Sequence, residues 1–187
     1  QIEGGNIQAI CRNERYRFFE EVMKTHNCTK LVTAHHADDQ LESMLMALTK
    51  SSSLNGLKGI LPIRNFFENA VIRPFLMVTK NEIGEYLHSK GVSYREDPSN
   101  SKHDYTRNRF RHHIVPILKE ENPLVSQHAV NIAQQLTEDD SYLMDLAKVR
   151  FSELFNKFDK IYYKVNVSAF QKEPLALQRR LILILLN

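Results

Sequence analysis

What this sequence has little of narrows its possibilities first. Only two of its 187 residues are cysteine, Cys11 and Cys28, and no C-x-x-C spacing occurs. That argues against a disulfide framework and a Cys-rich zinc site, and makes a reducing cytoplasm the expected compartment. The longest uninterrupted apolar run, residues 181–186, is far short of the roughly 20 that a membrane helix needs, so no membrane partner is expected. No charged-then-apolar leader opens the chain, and no repeat or low-complexity stretch is visible. The glycines fit neither G-x-G-x-x-G nor G-x-x-x-x-G-K-[ST]. Charge of one sign is scarce too: 25 basic against 22 acidic side chains give net +3, which alone claims no nucleic-acid partner. What is there is globular, with 42% hydrophobic and 25% charged residues, enough for one domain or one plus part of another. The chain begins at Gln1 rather than Met and stops within an apolar helical pattern, Leu175–Leu186, so a fragment of a longer or processed protein is expected.

Periodicity and turn residues predict a helix over residues 6–26, a strand over 30–34 and a helix over 37–50. The stretch 51–56 is a loop by composition, and 70–74 is a strand bounded by Pro74. Thr79 with Glu82 three residues on is a capping box for a helix to about Lys90, with Gly91 as its C′ residue. Residues 92–94 are extended, 97–100 are a turn, and the segment from Tyr105 opens a mostly helical remainder with one strand-like run, 160–167. Helix–strand alternation up to about residue 95 is the pattern of an α/β fold with a parallel sheet, and the best cut lies near 120–123.

The run Leu31-Val32-Thr33-Ala34-His35-His36-Ala37-Asp38-Asp39-Gln40 is the most informative. A strand ends in two histidines, and the next residues open a helix with the apolar stripe Leu41, Met44, Leu45, Leu48. In open α/β sheets the carboxyl ends of strands form the ligand crevice. At about 100° per residue, Asp38 lies about 60° from Leu41 and Asp39 about 160° away, facing solvent. Asp38 is therefore the better candidate for site chemistry, although acids in a helix's first turn also simply complement its dipole. A metal site from His35 and Asp39 is disfavoured, because no further ligand cluster accompanies them.

In the first helix, Ile7, Cys11, Phe18 and Val22 make the expected apolar face. Glu14 and Arg15 then point toward the buried side, with Arg12 at its edge. Buried charge needs a partner, which an internal Glu14–Arg15 or Arg–Asp38 pair supplies. The other reading has Arg12 and Arg15 reaching a polyphosphate or a transition state. Residues 101–120 hold five Lys/Arg and two Asp/Glu, an excess equal to the whole chain's net charge, beside Tyr105 and Phe110. That concentration suits phosphate contact and base stacking, or else a solvated basic helix face. The loop Asn55-Gly56-Leu57-Lys58-Gly59 is flexible by composition. His88 and His128 stand alone.

In their order, these motifs resemble the tRNA(Ile)-lysidine synthases. The matching pieces are residues 11–19, where the family usually has Ala in place of Cys11, then 33–42, Gly56-Leu57-Lys58-Gly59-Ile60, Ile72-Arg73-Pro74-Phe75-Leu76, Asp97-Pro98-Ser99-Asn100 and residues 105–111. Residues 175–180 resemble the start of the family's tRNA-handling helical region. The resemblance implies the C-terminal part of a Rossmann-like PP-loop domain (adenine nucleotide alpha hydrolase-like) over residues 1–120, then a mostly helical substrate-binding region over 121–187. It implies a cytoplasmic ligase that uses ATP with Mg²⁺ to adenylate C2 of the wobble cytidine in a CAU-anticodon tRNA(Ile). The amine of L-lysine then displaces AMP, and the tRNA passes from methionine to isoleucine specificity. By the same resemblance, Arg12, Arg15, His35 and Asp38 are catalytic, and Arg12, Arg15 and His35 bind ATP. Arg73, Asn100, Arg107, Asn108, Arg109 and Arg111 bind tRNA, and no tightly held metal is expected. Oligomeric state stays open, a homodimer included. The family's Ser-Gly-Gly-x-Asp-Ser phosphate motif has no counterpart in these residues, so activity is expected of the longer protein rather than of this piece. The alternatives are a catalytically incomplete tRNA-binding module, another PP-loop tRNA modifier such as a 2-thiolation enzyme, and a metal-dependent hydrolase. The unpaired cysteines speak against thiolation.

Overall fold

Helix α1 (Ile7–Thr25) leads into β1 (Lys30–Val32), the first strand of a three-stranded sheet. The computed structural model describes residues 7–50, 53–95, 106–158 and 162–186. The 97–100 turn, Asn100 and Tyr105 lie outside the described residues. After β1 come α2 (Ala37–Lys50), α3 (Leu54–Leu57), β2 (Ile63–Phe66) and β3 (Asn69–Ile72). The sheet order is β1-β3-β2, with β1 parallel to β3 in the register Leu31↔Val71 and β2 antiparallel to β3 in the register Arg64↔Val71. The mixed α/β character expected from the alternation is present. The β2 strand was not expected: its sequence, Ile-Arg-Asn-Phe, lacks a run of apolar residues, and hairpin pairing with β3 makes it a strand. The strand expected at 70–74 is shorter because Pro74 offers no N–H and the Arg73 N–H already donates to the Pro62 carbonyl, 2.9 Å away. Within the expected 51–56 loop, Ser53 caps the short helix α3, its hydroxyl accepting from the Gly56 N–H.

The capping box and C-cap are found as expected. Helix α4 (Lys80–Ser89) begins with Thr79 and Glu82 bonded reciprocally. At its end Gly91 has φ +63°, and the Gly91 and Val92 N–H groups donate to the His88 and Leu87 carbonyls, both at 3.0 Å, a Schellman closure. Then come α5 (Thr106–Arg109), a π-helical turn over Phe110–Ile114, α6 (Val115–Glu121) and α7 (Val125–Leu154). The π-helical turn has a local cause. Pro116 lacks an N–H to bond the His112 carbonyl, and the Val115 N–H reaches back to Phe110.

The first helix turns a different face inward than its periodicity suggested. Phe18 and Val22 are exposed, as are Cys11, Glu14 and Arg15. Met23 is buried, with Tyr16 and Phe19 half-buried beside it. The helix carries apolar residues on two sides, and the aromatic side decides, Tyr16 meeting Phe66 edge-on at 5.5 Å. Met23, Phe66 and Val71 form one core cluster, with Tyr16 and Leu31 against it. Leu41, Val115 and Ala129 form a second, with Met44, Leu45 and Val125, whereas Leu48 at the stripe's end is exposed.

Two compact units, residues 1–131 and 132–187, divide within α7. The second contains the rest of α7, the antiparallel pair β4 (Phe155–Lys157) and β5 (Tyr163–Val165), α8 (Val167–Lys172) and α9 (Leu175–Leu186). Phe151 stacks on Phe155 at 4.4 Å, and Leu177 and Leu181 are buried. Arg180 is 7% exposed and bonds Asp140, while Arg150 bonds Glu173. No helix among the described residues is long and apolar enough to cross a membrane.

Candidate functional site

The carboxyl ends of the parallel strands β1 and β3 are followed directly by the chain's chemical groups, His35 and His36 after β1 and Arg73 after β3. A cavity of about 260 Å³ opens there. Its wall is built from Arg12 of α1, His35, Ser43 of α2, the Gly59-Ile60-Leu61 loop, Arg64 of β2, Arg73 and Arg107 of α5. Four guanidinium groups and one imidazole therefore converge, and among the described residues no carboxylate side chain lines the wall. Among the described residues, Arg12, Arg64 and Arg73 have no carboxylate within ion-pair distance.

Arg73 is 6% exposed. Its Nη1 donates to the Leu61 carbonyl at 2.6 Å, and its Nε is buried without a partner. Burial lowers its proton affinity from the ordinary value, Tyr16 opposes this, and Arg64 and Arg12 lower it further. A buried cation beside like charges is poised for an anion. The His35 Nδ1 lies 2.9 Å from the Thr33 hydroxyl. Burial lowers the His35 pKa below 6.5, against the pull of Asp39 and with the push of Arg73, Arg107 and Arg12, so the ring is neutral at pH 7.

The Gly59 wall is set from inside. Gln40 is fully buried, donating to the Lys58 carbonyl at 2.9 Å and accepting from the Ile60 N–H at 2.7 Å. Gly59 has φ +59°, and a Cβ there would lie 2.7 Å from the Gln40 amide nitrogen. Sequence reasoning passed over Gln40; its signal was an amide on the buried side of a helix, one turn before Ser43.

The two aspartates lie behind the cavity. Asp38 is buried, its Oδ2 accepting from the Lys80 N–H at 2.8 Å and its Oδ1 from the Ser126 hydroxyl at 2.6 Å, with Lys119 Nζ at 2.5 Å. Burial pushes its pKa up, but the bonds from Lys119, Ser126 and Lys80 outweigh that and hold it below the ordinary value. The expected Arg–Asp38 pair is thus corrected, since the cation is Lys119. Asp39, expected in solvent, is 8% exposed. Its Oδ2 caps the His36 N–H at 3.1 Å, and its Oδ1 accepts from Arg107 at 3.1 Å and Arg111 at 3.2 Å. A helical wheel of α2 could not show that the segment from residue 106 covers this face.

Glu42 completes the arrangement. It is 1% exposed and takes Arg111 Nε at 2.6 Å, Arg111 Nη2 at 3.0 Å and Arg107 Nε at 2.7 Å. Of the cationic segment, Arg107 and Arg111 are therefore turned inward, Arg109 is exposed, and Asn108 is half-buried. Arg15 is exposed on α1 and absent from the cavity wall, and Glu14 pairs with Arg17 at 2.6 Å rather than with Arg15. Among the described residues no group of three or more His, Cys, Asp or Glu is arranged to hold a metal. The cysteines are free and exposed.

A family described as a PP-loop domain matches residues 1–118. The chain is 44% identical over 187 residues to the tRNA(Ile)-lysidine synthase of Bacillus subtilis (strain 168), covering all of this chain and 40% of that protein. It is 40% identical to the tRNA(Ile)-lysidine synthase of Bacillus licheniformis, over 97% of this chain and 38% of that protein. The enzyme of that name from Geobacillus kaustophilus is also 40% identical, over 98% of this chain and 39% of its own length. The chain thus spans about two fifths of the length of the curated relatives it matches.

Proposed function

This chain belongs to the PP-loop domain family, and from that membership and the arginine cavity we propose that the whole protein is an ATP-dependent ligase that makes lysidine in tRNA. Its substrates are ATP as the magnesium complex, L-lysine and a tRNA(Ile) with a CAU anticodon. In this reading the C2 oxygen of the wobble cytidine attacks the α-phosphorus of ATP and expels diphosphate. An amine of L-lysine then attacks C2, loses a proton, and AMP leaves. Both steps release an anion, which fixed cations stabilise without reorganisation.

The observation that carries the reading is the convergence of Arg12, Arg64, Arg73 and Arg107 on one cavity with no carboxylate among the described residues of its wall. Arg12 and Arg73 hold the phosphate chain, and neutral His35 accepts or orients the amine proton. Asp38 acts by position, tying the start of α2 to α4 and α7 through Lys80 and Ser126. Arg15, on the exposed side of α1, meets the nucleotide or tRNA from solvent. Arg111, with Arg107, anchors the cationic segment on Glu42, and Arg109, Asn108 and Asn100 are the groups assigned to the tRNA backbone. The parallel β1–β3 pair with helix between supports a Rossmann-like sheet, of which these strands are the C-terminal part. The setting is cytoplasmic.

The test is ATP-dependent transfer of labelled L-lysine to an unmodified CAU-anticodon tRNA(Ile) transcript by the whole protein, with this chain alongside. Label on the tRNA, lost in Arg73→Gln, is the expected result. Tight tRNA binding without label, with ATP present, would leave a binding module in place of the ligase.

A further inference from the structure

We infer that the groove between α1 and the β2–β3 hairpin is a stacking track for single-stranded RNA that leads into the arginine cavity, an inference that rests on the tRNA-modifying reading of that cavity. The groove has a volume of about 640 Å³, and its wall includes Arg12, Tyr16, Arg17, Arg64, Phe66 and Phe67. Arg12 and Arg64 belong to both this groove and the cavity, so the two spaces adjoin at these side chains.

Three observations point to nucleobases and phosphates. The rings form a contiguous edge-to-face set: Tyr16 meets Phe66 at 5.5 Å, and Phe66 meets Phe67 at 4.9 Å. Arg12 and Arg64 lie over the Tyr16 ring, at 5.0 and 5.3 Å from its centroid. Phe67, at the hairpin turn, is 67% exposed and has φ +50°. Asn or Gly adopts that backbone without strain, and a bulky aromatic does not. Phe67 meets Phe66 edge-on, yet most of its ring stays in solvent at a φ that is unfavourable for an aromatic residue.

Charge selects the occupant. Among the described lining residues the one acid is Glu20, engaged by Lys24 at 2.6 Å, and while Arg17 pairs with Glu14 at 2.6 Å, Arg12 and Arg64 have no carboxylate partner there. A ligand that spans groove and cavity needs planar faces and repeating negative charge, which is single-stranded RNA rather than an acidic peptide. A nucleotide neighbouring the reactive one stacks on Phe67 while its phosphate lies toward Arg64.

The experiment measures binding of a fluorescently labelled CAU anticodon stem–loop RNA to this chain by anisotropy across a salt series, with diphosphate binding measured by calorimetry. Phe67→Asn removes the ring and suits the backbone. It is expected to weaken RNA binding by roughly 5- to 150-fold, with the salt slope and diphosphate affinity unchanged. Phe67→Tyr keeps a stacking face and is expected to bind RNA like the parent. RNA affinity unchanged in Phe67→Asn overturns the track, and so does an equal loss of RNA and diphosphate, which signals general damage. Parent chain that binds diphosphate but no RNA overturns the track together with the tRNA reading of the cavity. RNA binding that survives only in the parent and Phe67→Tyr supports both.

Discussion

Glu42 has no access to water, and all its compensation comes from two arginines that approach from a different part of the chain. Burial of a carboxylate is tolerable only while such partners stay, and removal of one side of a buried pair costs about 3–5 kcal/mol. Glu42→Ala leaves Arg107 and Arg111 partly solvated and still bonded to Asp39, so the expected fall in unfolding free energy is smaller, about 1–3 kcal/mol by urea titration. A loss below about 1 kcal/mol would mean that the arginines are solvated in the native state. His35 makes a pH-dependent contribution of known sign. Its folded pKa lies below 6.5, so the unfolded chain takes up this proton more readily. Stability from this group is complete above that unfolded value and is lost as pH falls toward the folded one. Anion binding runs the other way, because a protonated His35 adds positive charge beside Arg12, Arg73 and Arg107. Sulfate, doubly charged across the range from roughly pH 5 to 8, is expected to bind more tightly as pH falls, and His35→Asn is expected to flatten that dependence. A profile of the same slope in both proteins would place the titrating group elsewhere.

Helix α4 joins local sequence to the site. Thr79 is buried, its hydroxyl accepts from the Glu82 N–H at 3.2 Å, and the next N–H, of Lys80, is held by Asp38. Thr79→Ala removes the cap and is expected to cost about 0.5–2 kcal/mol, read as a lower urea midpoint with unchanged slope. A changed slope would point to a looser native or denatured state rather than a lost cap. This helix was legible from its sequence because capping box and Gly91 closure depend on residues within one turn. The strand-to-helix junction at His35 was legible for the same reason, with periodicity switching at one point. What escaped sequence reading was decided at long range. The inner face of α1 depends on Phe66, the burial of Asp39 and Glu42 on Arg107 and Arg111, and the existence of β2 on pairing with β3. Helical-wheel angles carry no information about which partner arrives. The cationic segment was found by its charge density, but charge alone could not tell Arg111, turned onto Glu42, from exposed Arg109.

At the scale of the whole molecule, the ligand chemistry and the second compact unit are separate in the chain. The described cavity residues lie between Arg12 and Arg107, inside residues 1–131, while residues 132–187 have their own aromatic stack and their own buried Arg180. A ligand that binds only the folded form stabilises whatever unfolds with its site, by about 2.7 kcal/mol at a hundred times its dissociation constant. Diphosphate is therefore expected to slow amide hydrogen exchange in β1, β3 and the start of α2, whose backbone bonds open only when the cavity does. Exchange in β4, β5 and α9 is expected to stay as it was, because the described residues of the cavity wall all belong to the first unit. Equal slowing in both units would show one cooperative transition across the division within α7. Slowing confined to residues 132–187 would move the anion site out of the arginine cavity altogether, since the guanidinium groups of Arg12, Arg64, Arg73 and Arg107 all belong to the first unit.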